Sequence, residues 1–350
     1  MFLLYGATGF VGDAISRAAA ASGLRPILGG RDREALNRLA TELGLESRAF
    51  GLDEAAAIDR GLDGVTVVLN CAGPFVHTFK PMAQACMRAG AHYLDITGEI
   101  PVYEGLAAMD AGAKARGVML LPGVGFDVVP TDCLALHLKQ RLPSATHLTL
   151  AFRTHGPGGL PPGTQRTMIE LIPYGNRVRR NGQLVVPERG VKTREIDFGQ
   201  GAVTATRLTW GDVFMAYHTT AIPNIEDYVV VPASTRQQLA RLDYLRPLFK
   251  LAFIRNLLKR GVKPGPDAER RAKTSTHVWG EVIDNEGRRA TARLHGPEAG
   301  VVWTARTALA AVCKVLGGTI AAGFQTPARV YGADFVLDGE GVTREDVIDG

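Results

Sequence analysis

Cysteine is scarce in this chain of 350 residues, and no two cysteines form a Cys-x-x-Cys pair. They are scattered singly along the sequence, at Cys71, Cys86, Cys133 and Cys313. A disulfide framework or a structural zinc site needs paired or clustered cysteines. The sequence therefore predicts no disulfide and no metal site, and a reducing, cytoplasmic setting is expected.

Long hydrophobic runs and a signal sequence are also missing. The least charged stretch, residues 308–324, is broken by Lys314 and by Gly317-Gly318, and it is shorter than the roughly 20 apolar residues that span a bilayer. We expect it to be the end of a buried helix. The first ten residues have neither a basic region nor a small-residue cleavage site, so secretion is not expected.

The composition is that of a globular protein, with 46% hydrophobic and 21% charged residues. At about 150 residues per domain, the length predicts two domains. The net charge of +5 is concentrated in residues 244–273, which hold nine Lys or Arg and two Asp or Glu, so the remainder is slightly acidic. A single local patch argues against nucleic-acid binding. Three interpretations of the patch stay open: contact with a membrane surface, binding of an anionic ligand, or a solvated helix face.

Short apolar segments alternate with helical segments over the first 125 residues. The strand candidates are Phe2–Tyr5, Pro26–Gly29, Arg48–Phe50, Val65–Asn70, His92–Ile96 and Val118–Pro122. Strict alternation implies right-handed crossovers between parallel strands. The sequence therefore predicts an α/β domain with a doubly wound parallel sheet of the Rossmann type.

The pattern changes after Thr131, where β-type segments follow one another closely. They are His147–Arg153, Leu184–Pro187, Ala202–Leu208, Tyr228–Pro232, Thr276–Ile283 and Arg288–Leu294. Asn181-Gly182 and the run Asp284–Gly287 are typical of hairpin turns. We predict a first domain over residues 1–130 and a second α+β domain with a mainly antiparallel sheet over 131–299. Residues 300–350 are expected to pack back on the first domain.

A glycine turn, Gly6-Ala-Thr-Gly9-Phe-Val-Gly12, lies between the first strand and the first helix. Gly6 permits the tight turn, Gly9 lets a pyrophosphate approach main-chain amides, and Gly12 allows close packing of helix and strand. This pattern predicts a dinucleotide site, with a merely structural turn as the alternative. Its predicted cofactor-binding residues are Gly6, Thr8, Gly9, Phe10, Val11 and Gly12.

Arg31 follows the second strand, where an NAD-selective site normally has a carboxylate for the ribose 2′-hydroxyl. A guanidinium suits a 2′-phosphate, so NADP is the predicted cofactor, although Arg31 and Arg33 could simply be solvated. Asp53, beyond the third strand, could accept from the adenine amino group or cap an exposed helix.

The fourth and fifth strands end in NCAGPF and DITGE, on the sheet edge where open α/β folds bind ligands. Here Cys71 is better explained as apolar packing than as a nucleophile. The residues predicted to contact the nicotinamide and its ribose are Ala72, Gly73, Pro74, Phe75 and Thr97.

These motifs, GATGFVG, GGRD, NCAGPF and YLDITGE, with PGVGFDVVPTD, resemble those of the saccharopine dehydrogenase-like family of NADP-dependent oxidoreductases. Residues 180–185, 194–199 and 217–226 are similar to its bacterial trans-acting enoyl reductase branch. The likeness extends over nearly the whole chain. It implies a Rossmann domain that binds NADP and an antiparallel domain that covers the nicotinamide and sets specificity. It names no proton donor, and the family's reactions range from amino-acid C–N oxidoreduction to reduction of acyl-linked double bonds.

The second domain contains candidate catalytic residues in a region of β-type sequence that includes Asp212, Thr219 and Asn224. Tyr217 or His218 could protonate the atom opposite the hydride, or both could pack without a catalytic role. Asp132 is explained by the field at a helix N-terminus. A substrate carboxylate or phosphate could be held by the arginines of this domain, which are Arg166, Arg177, Arg179 and Arg180.

Residues 245–260 form an amphipathic pattern that predicts either a core-facing helix or an interfacial one in contact with a membrane. The leading function is an NADPH-dependent reductase acting on a C=C, C=O or C=N bond of a small, apolar, acyl or lipid-like molecule. A short-chain-dehydrogenase-like enzyme is disfavoured, because no tyrosine has a lysine four residues later. A non-enzymatic NADP-binding redox sensor stays open, as does a homodimer.

Overall fold

The computed structural model describes residues 1–347, and residues 240–244 only as part of a helix. Its contacts divide the chain into two compact units. Unit 1 comprises Met1–Val129 and Gly300–Tyr331, and unit 2 comprises Pro130–Ala299 and the residues from Gly332 onward. The expectation that all of residues 300–350 pack on the first domain is therefore wrong from Gly332 onward, and residues 348–350 lie outside the described residues.

The strands occupy short segments in unit 1 and longer ones in unit 2. In chain order they are β1 (Phe2–Tyr5), β2 (Ile27–Gly30), β3 (Ser47–Ala49), β4 (Val67–Asn70), β5 (His92–Asp95), β6 (Met119–Leu121), β7 (His147–His155), β8 (Val178–Arg180), β9 (Gln183–Val185), β10 (Thr193–Asp197), β11 (Ala202–Arg207), β12 (Asn224–Val229), β13 (Ser275–Ile283), β14 (Arg289–Pro297), β15 (Gly323–Phe324) and β16 (Thr343–Val347).

The α-helices lie between these strands and at the unit boundaries. They are α1 (Phe10–Ala21), α2 (Arg33–Leu43), α3 (Ala55–Gly61), α4 (Phe79–Ala89), α5 (Ile100–Ala107), α6 (Asp110–Lys114), α7 (Val129–Arg141), α8 (Pro162–Leu171), α9 (Asp212–Thr220), α10 (Ala233–Leu245), α11 (Ala252–Lys259), α12 (Ala268–Ala272), α13 (Thr304–Leu316) and α14 (Pro327–Tyr331).

The sheet of unit 1 has the order β15-β6-β5-β4-β1-β2-β3, and its strand pairs are parallel. The chain moves from β1 to β2 and β3 on one side and then returns to β4 on the other. The predicted doubly wound parallel sheet is confirmed. Its topological switch point, the place where such sheets bind ligands, lies between β1 and β4.

Helix α13 belongs to the core of unit 1, where it contacts α1, β4 and β5. Its inward side is buried at Ala308, Ala311, Val312 and Val315. By length and composition alone, Ala299–Leu316 is the one helix in the described part of the chain that could cross a membrane, and half of it is buried inside the protein. This packing is that of a core helix.

The sheet of unit 2 follows the order β10-β11-β12-β7-β13-β14-β16, with β8 pairing with β12 and β9. The predicted, mainly antiparallel character is confirmed, although β12 and β7 pair in parallel. Asn181 and Gly182 both have positive φ, as the predicted hairpin turn between β8 and β9 requires. Strand β16, which pairs with β14, explains why the chain after Gly332 belongs to this unit.

The two faces of this sheet are covered differently. On one face, Gly280 lies against α7, where a Cβ would come within 2.7 Å of Leu138. The other face has its own apolar cluster, in which Trp279 and Tyr228 pack with Ile196 and Phe198 of the β10 segment. Unit 2 therefore has a core independent of the parallel sheet.

Candidate functional site

The glycine turn stands at the switch point, immediately after β1. The amides of Gly6 and Ala7 donate to the carbonyl of Gly29 over 2.8 and 3.1 Å, which ties the turn to β2. Gly6 has φ +85°, and a Cβ there would lie 2.8 Å from the amide nitrogen of Ala72. A side chain is thus excluded both by conformation and by space.

Gly12 is the most crowded position of the turn. A Cβ there would lie 2.1 Å from the carbonyl oxygen of Gly6, so the first turn of α1 can approach the strand only without a side chain. Gly9 is the N-cap of α1 and offers no side chain to the amides that follow. Thr8, Gly9 and Phe10 are exposed. The helix N-terminus is therefore open to an anionic group, as a dinucleotide diphosphate requires.

Arg31 is exposed directly after β2, beside the phenol of Tyr5. The Tyr5 hydroxyl donates to the carbonyl of Phe50 over 3.0 Å. Burial raises the pKa of Tyr5 to about 12, with the charge of Arg31 opposing the rise and that of Asp53 adding to it. One corner of unit 1 therefore combines a guanidinium and a carboxylate. Asp53 is not the N-cap of α3, since Glu54 holds that position, so its alternative role as a helix cap is wrong.

The loop after β4 is held by the buried side chain of Asn70. Its oxygen accepts from the amide of Ala72 over 3.1 Å, and its nitrogen donates to the hydroxyls of Thr78 and Tyr93, both over 3.3 Å. The peptide between Gly73 and Pro74 is cis.

Cys71 stands in this loop with its amide bound to the carbonyl of Tyr5. Burial raises the pKa of its thiol well above the ordinary value. This supports the packing role and not a nucleophile.

Asp95, at the end of β5, is a fully buried carboxylate that joins three segments. It accepts from the hydroxyl of Tyr93 over 2.7 Å and from the amides of Thr97 and Gly123, each over 3.0 Å. Burial raises the pKa of Asp95 to about 7, although these hydrogen bonds oppose the rise. The loops after β5 and β6 therefore share one acid that titrates near neutrality.

Glu99 connects the loops after β4 and β5. Its two carboxylate oxygens accept from the amides of Phe75 and Val76, each over 2.9 Å, and its own amide donates to the hydroxyl of Thr97. Phe75 and Thr97 are both buried. Glu99 therefore holds the loop that was predicted to line the nicotinamide, through the amides of Phe75 and Val76. The sequence analysis did not single out Glu99.

Tyr217 and His218 lie in a helix, α9, and the prediction of a β-type region there is wrong. The helix is largely buried, from Asp212 to Ala216 and at Thr220, and such tertiary packing overrides the strand preference of its aromatic and branched residues. The helix ends at Ala221, which has φ +57°.

The ring of Tyr217 is stacked against Arg179, whose guanidinium carbon lies 4.0 Å from the ring centroid. Arg179 is itself buried, and its donors bind the carbonyls of Val213 and Gly182 over 2.8 and 2.6 Å. Tyr217 thus packs α9 onto the β8–β9 hairpin. His218 lies against the ring of Phe214, with 4.6 Å between the centroids.

Two hydroxyl–carboxylate pairs join α7 to α9 within unit 2. The hydroxyl of Thr131 donates to Asp212, and the hydroxyl of Thr219 donates to Asp132. Both carboxylates are buried. The helix-terminus explanation of Asp132 is therefore incomplete, because its side chain fixes the neighbouring helix.

Arg180, another of the arginines proposed for substrate binding, lies against a carboxylate of this chain. Arg180 pairs with Glu226, which also binds Lys192 over 2.9 Å and the hydroxyl of Tyr228 over 2.8 Å. Although burial opposes it, Lys192 and the other donors lower the pKa of Glu226 to about 2. Arg179 and Arg180 therefore have partners inside the protein, which weakens the case for substrate binding by them.

Comparison with known proteins finds a match in the amino-terminal part of unit 1. Residues 2–121 match the family model described as the saccharopine dehydrogenase NADP binding domain. This part of the chain is similar to the saccharopine dehydrogenase-like family. Its resemblance to this family, predicted from the motifs, is confirmed, as is NADP as the cofactor of the domain.

Curated relatives match over part of their length. A human saccharopine dehydrogenase-like oxidoreductase is 29% identical over 181 residues, covering 45% of this chain and 42% of the relative. A Mycobacterium tuberculosis protein named as a trans-acting enoyl reductase is 30% identical over 215 residues, covering 54% of this chain and 50% of the relative. The chain spans about half the length of the curated relatives it matches.

The fold of the chain is similar to a solved structure, the L-Glu-forming saccharopine dehydrogenase of Saccharomyces cerevisiae. The TM-score is 0.65 with 12% sequence identity, and the match covers 99% of each chain. At this identity the likeness shows the fold alone. It supports the combination of a parallel sheet and a second, mixed sheet.

Proposed function

We propose that this protein is an NADPH-dependent reductase that transfers hydride to a C=C, C=O or C=N bond of an apolar, acyl-type substrate. The supporting observation is the turn at the switch point, where Gly12 cannot accept a Cβ and Arg31 is exposed at the end of β2. The names of the enoyl reductase relatives favour reduction of a carbon–carbon bond.

In this proposal the amides around Gly9 bind the diphosphate, Arg31 binds the 2′-phosphate, and Asp53 accepts from the adenine. The loop from Ala72 to Phe75 shapes the nicotinamide ribose site. When bound, NADPH supplies the hydride. The residues of the chain orient the cofactor and exclude water.

We assign the proton transfer to His218 in preference to Tyr217. An imidazole titrates near neutral pH, as a general acid requires. Arg179 covers one face of the Tyr217 ring, so Tyr217 is explained as a packing group.

A binding and turnover experiment tests this function. Purified protein is titrated with NADPH and NADH by fluorescence, and NADPH oxidation is followed with a panel of enoyl thioesters, aldehydes and imines. Arg31→Ala should weaken NADPH binding about 10- to 100-fold with little effect on NADH, because the lost contact is to the 2′-phosphate. Arg33→Ala, which changes another exposed arginine two residues later, is the control.

Absence of NADPH binding would contradict the proposal outright. Tight NADPH binding without turnover of any substrate would favour the redox sensor instead. His218→Gln should lower kcat about 100-fold with unchanged NADPH affinity, whereas Tyr217→Phe should keep most of the kcat.

A further inference from the structure

A cluster of large apolar side chains is exposed on unit 2, in the segment from the end of α10 through α11. We call this segment, residues 245–258, the apolar ridge. Single exposed apolar residues are ordinary on a protein surface, but a contiguous group indicates an interaction site. The exposed fractions are 48% for Leu245, 51% for Leu248, 49% for Leu251, 67% for Phe253, 61% for Leu257 and 41% for Leu258.

Helix α11 has its ionic side toward the protein and its apolar side toward solvent, which is the reverse of an ordinary surface helix. Arg255 and Lys259, four residues apart, both bind the carboxylate of Glu170 in α8, with 2.9 Å between the Arg255 Nε and that carboxylate. Phe253 and Leu257, also four residues apart, are the most exposed of the ridge. Of the two alternatives left open for this segment, the core-facing one is therefore wrong for α11, because its ionic side faces the protein.

The inward contacts hold the helix in this orientation. The guanidinium of Arg255 also donates to the carbonyls of Phe249 and Lys250, over 2.7 and 2.9 Å. The side chain of Glu170 is only 10% exposed. Turning the apolar side inward would leave a buried carboxylate without its two cations, which is unfavourable.

Positive charge surrounds the apolar ridge. Lys250, Arg260 and Lys263 are exposed, and within the described part of the chain none of them has a carboxylate partner. A second copy of the chain would bring the same cations against these, so self-association through the ridge is disfavoured. The complementary partner is anionic and accepts apolar side chains, which are the properties of an anionic lipid surface.

We propose that the apolar ridge binds the surface of an anionic lipid bilayer. Phe253 and Leu257 enter the boundary between headgroups and acyl chains, while Lys250, Arg260 and Lys263 contact lipid phosphates. This interaction goes beyond the reductase proposal and does not depend on it.

Vesicle co-sedimentation tests the proposal on the full chain. The protein should bind vesicles of mixed phosphatidylcholine and phosphatidylglycerol, bind phosphatidylcholine vesicles at least ~10-fold more weakly, and be partly released by salt. The double substitution Phe253→Ser with Leu257→Ser should reduce binding at least ~10-fold. The matched control is Val185→Ser with Val186→Ser, a different pair of exposed apolar residues in unit 2.

Charge reversal separates the electrostatic contribution to vesicle binding from the apolar one. Lys250→Glu with Arg260→Glu should abolish the preference for phosphatidylglycerol and leave the weak binding to phosphatidylcholine. Each variant is checked for folding by circular dichroism and denaturation. This readout is independent of NADPH binding or turnover, so failure of the reductase proposal would not change it.

Three results would overturn the proposal. They are absence of wild-type binding to the mixed vesicles, equal binding by the Phe253 and Leu257 double variant, and a wild-type dimer in light scattering that the same double substitution dissociates. The last result would assign the ridge to a second copy of the chain.

Discussion

The turn after β1 and helix α9 are two candidate site regions, one from each unit, and they differ in what defines them. The turn is defined by backbone: Gly6 and Gly12 are required by space, and its contact groups are main-chain amides. Helix α9 is defined by side chains that meet partners far away in sequence, such as Thr219 with Asp132. A backbone site can be recognised from local spacing, whereas a side-chain site depends on tertiary contacts.

The substitution with the largest expected effect tests the turn after β1, which is defined by its backbone. Gly12→Ala should cost about 3 kcal/mol in the free energy of unfolding, because the new Cβ meets a backbone oxygen that no rotamer change can move. NADPH affinity should fall about 100-fold as the turn shifts. Urea denaturation and fluorescence titration measure the two effects.

Gly112→Ala provides the control for Gly12→Ala. Gly112 lies in α6, where a Cβ would meet nothing closer than 3.8 Å, the distance to Arg116. Alanine should stabilise that helix by up to about 1 kcal/mol. If both variants behaved alike, the crowding at Gly12 would not be the reason for its glycine.

Asp95 lies in unit 1 but resembles α9 in that its side chain joins separate segments. Because burial raises the pKa of Asp95 to about 7, above the ordinary value of 3.8 for an aspartate, the folded state binds more protons than the unfolded state between these values. The free energy of unfolding should therefore fall as the pH rises from 4 to 7. Between pH 5 and pH 8 the contribution is about 2–3 kcal/mol.

Asp95→Asn should remove most of this pH dependence, measured as the difference between denaturation curves at pH 5 and pH 8. Asp63→Asn changes an exposed carboxylate of the same unit and should leave the difference as in the wild type. A full wild-type pH dependence in Asp95→Asn would show that another group is responsible.

The sequence predicted the parallel sheet and the dinucleotide turn because both leave local signals. Strand and helix alternate, and Gly6, Gly9 and Gly12 stand at the spacing that the turn needs. It also predicted the β8–β9 hairpin, since Asn181 and Gly182 tolerate positive φ. These features depend on neighbouring residues in the chain.

The side-chain features could not be predicted in this way. Nothing in the local sequence shows that Glu99 accepts from the amides of Phe75 and Val76, or that Glu170 faces Arg255 across 85 residues. The helical state of Tyr217 and His218 depends on the tertiary packing that buries most of α9. Strand β16 needs β14 as its partner, so residues 343–347 alone gave no clear strand signal.

The smallest expected effect tests the side-chain half of the comparison. Thr219→Val keeps the shape of the side chain and removes the hydroxyl that binds the buried carboxylate of Asp132. Loss of a hydrogen bond to a charged group should reduce the free energy of unfolding by about 1–2 kcal/mol. Thr193→Val, at an exposed position of β10, should change it by less than about 0.5 kcal/mol. If His218 acts from a helix that this hydroxyl positions, Thr219→Val should lower kcat while NADPH affinity stays unchanged. A loss of stability with unaltered kcat would instead limit the pair to holding α7 and α9 together.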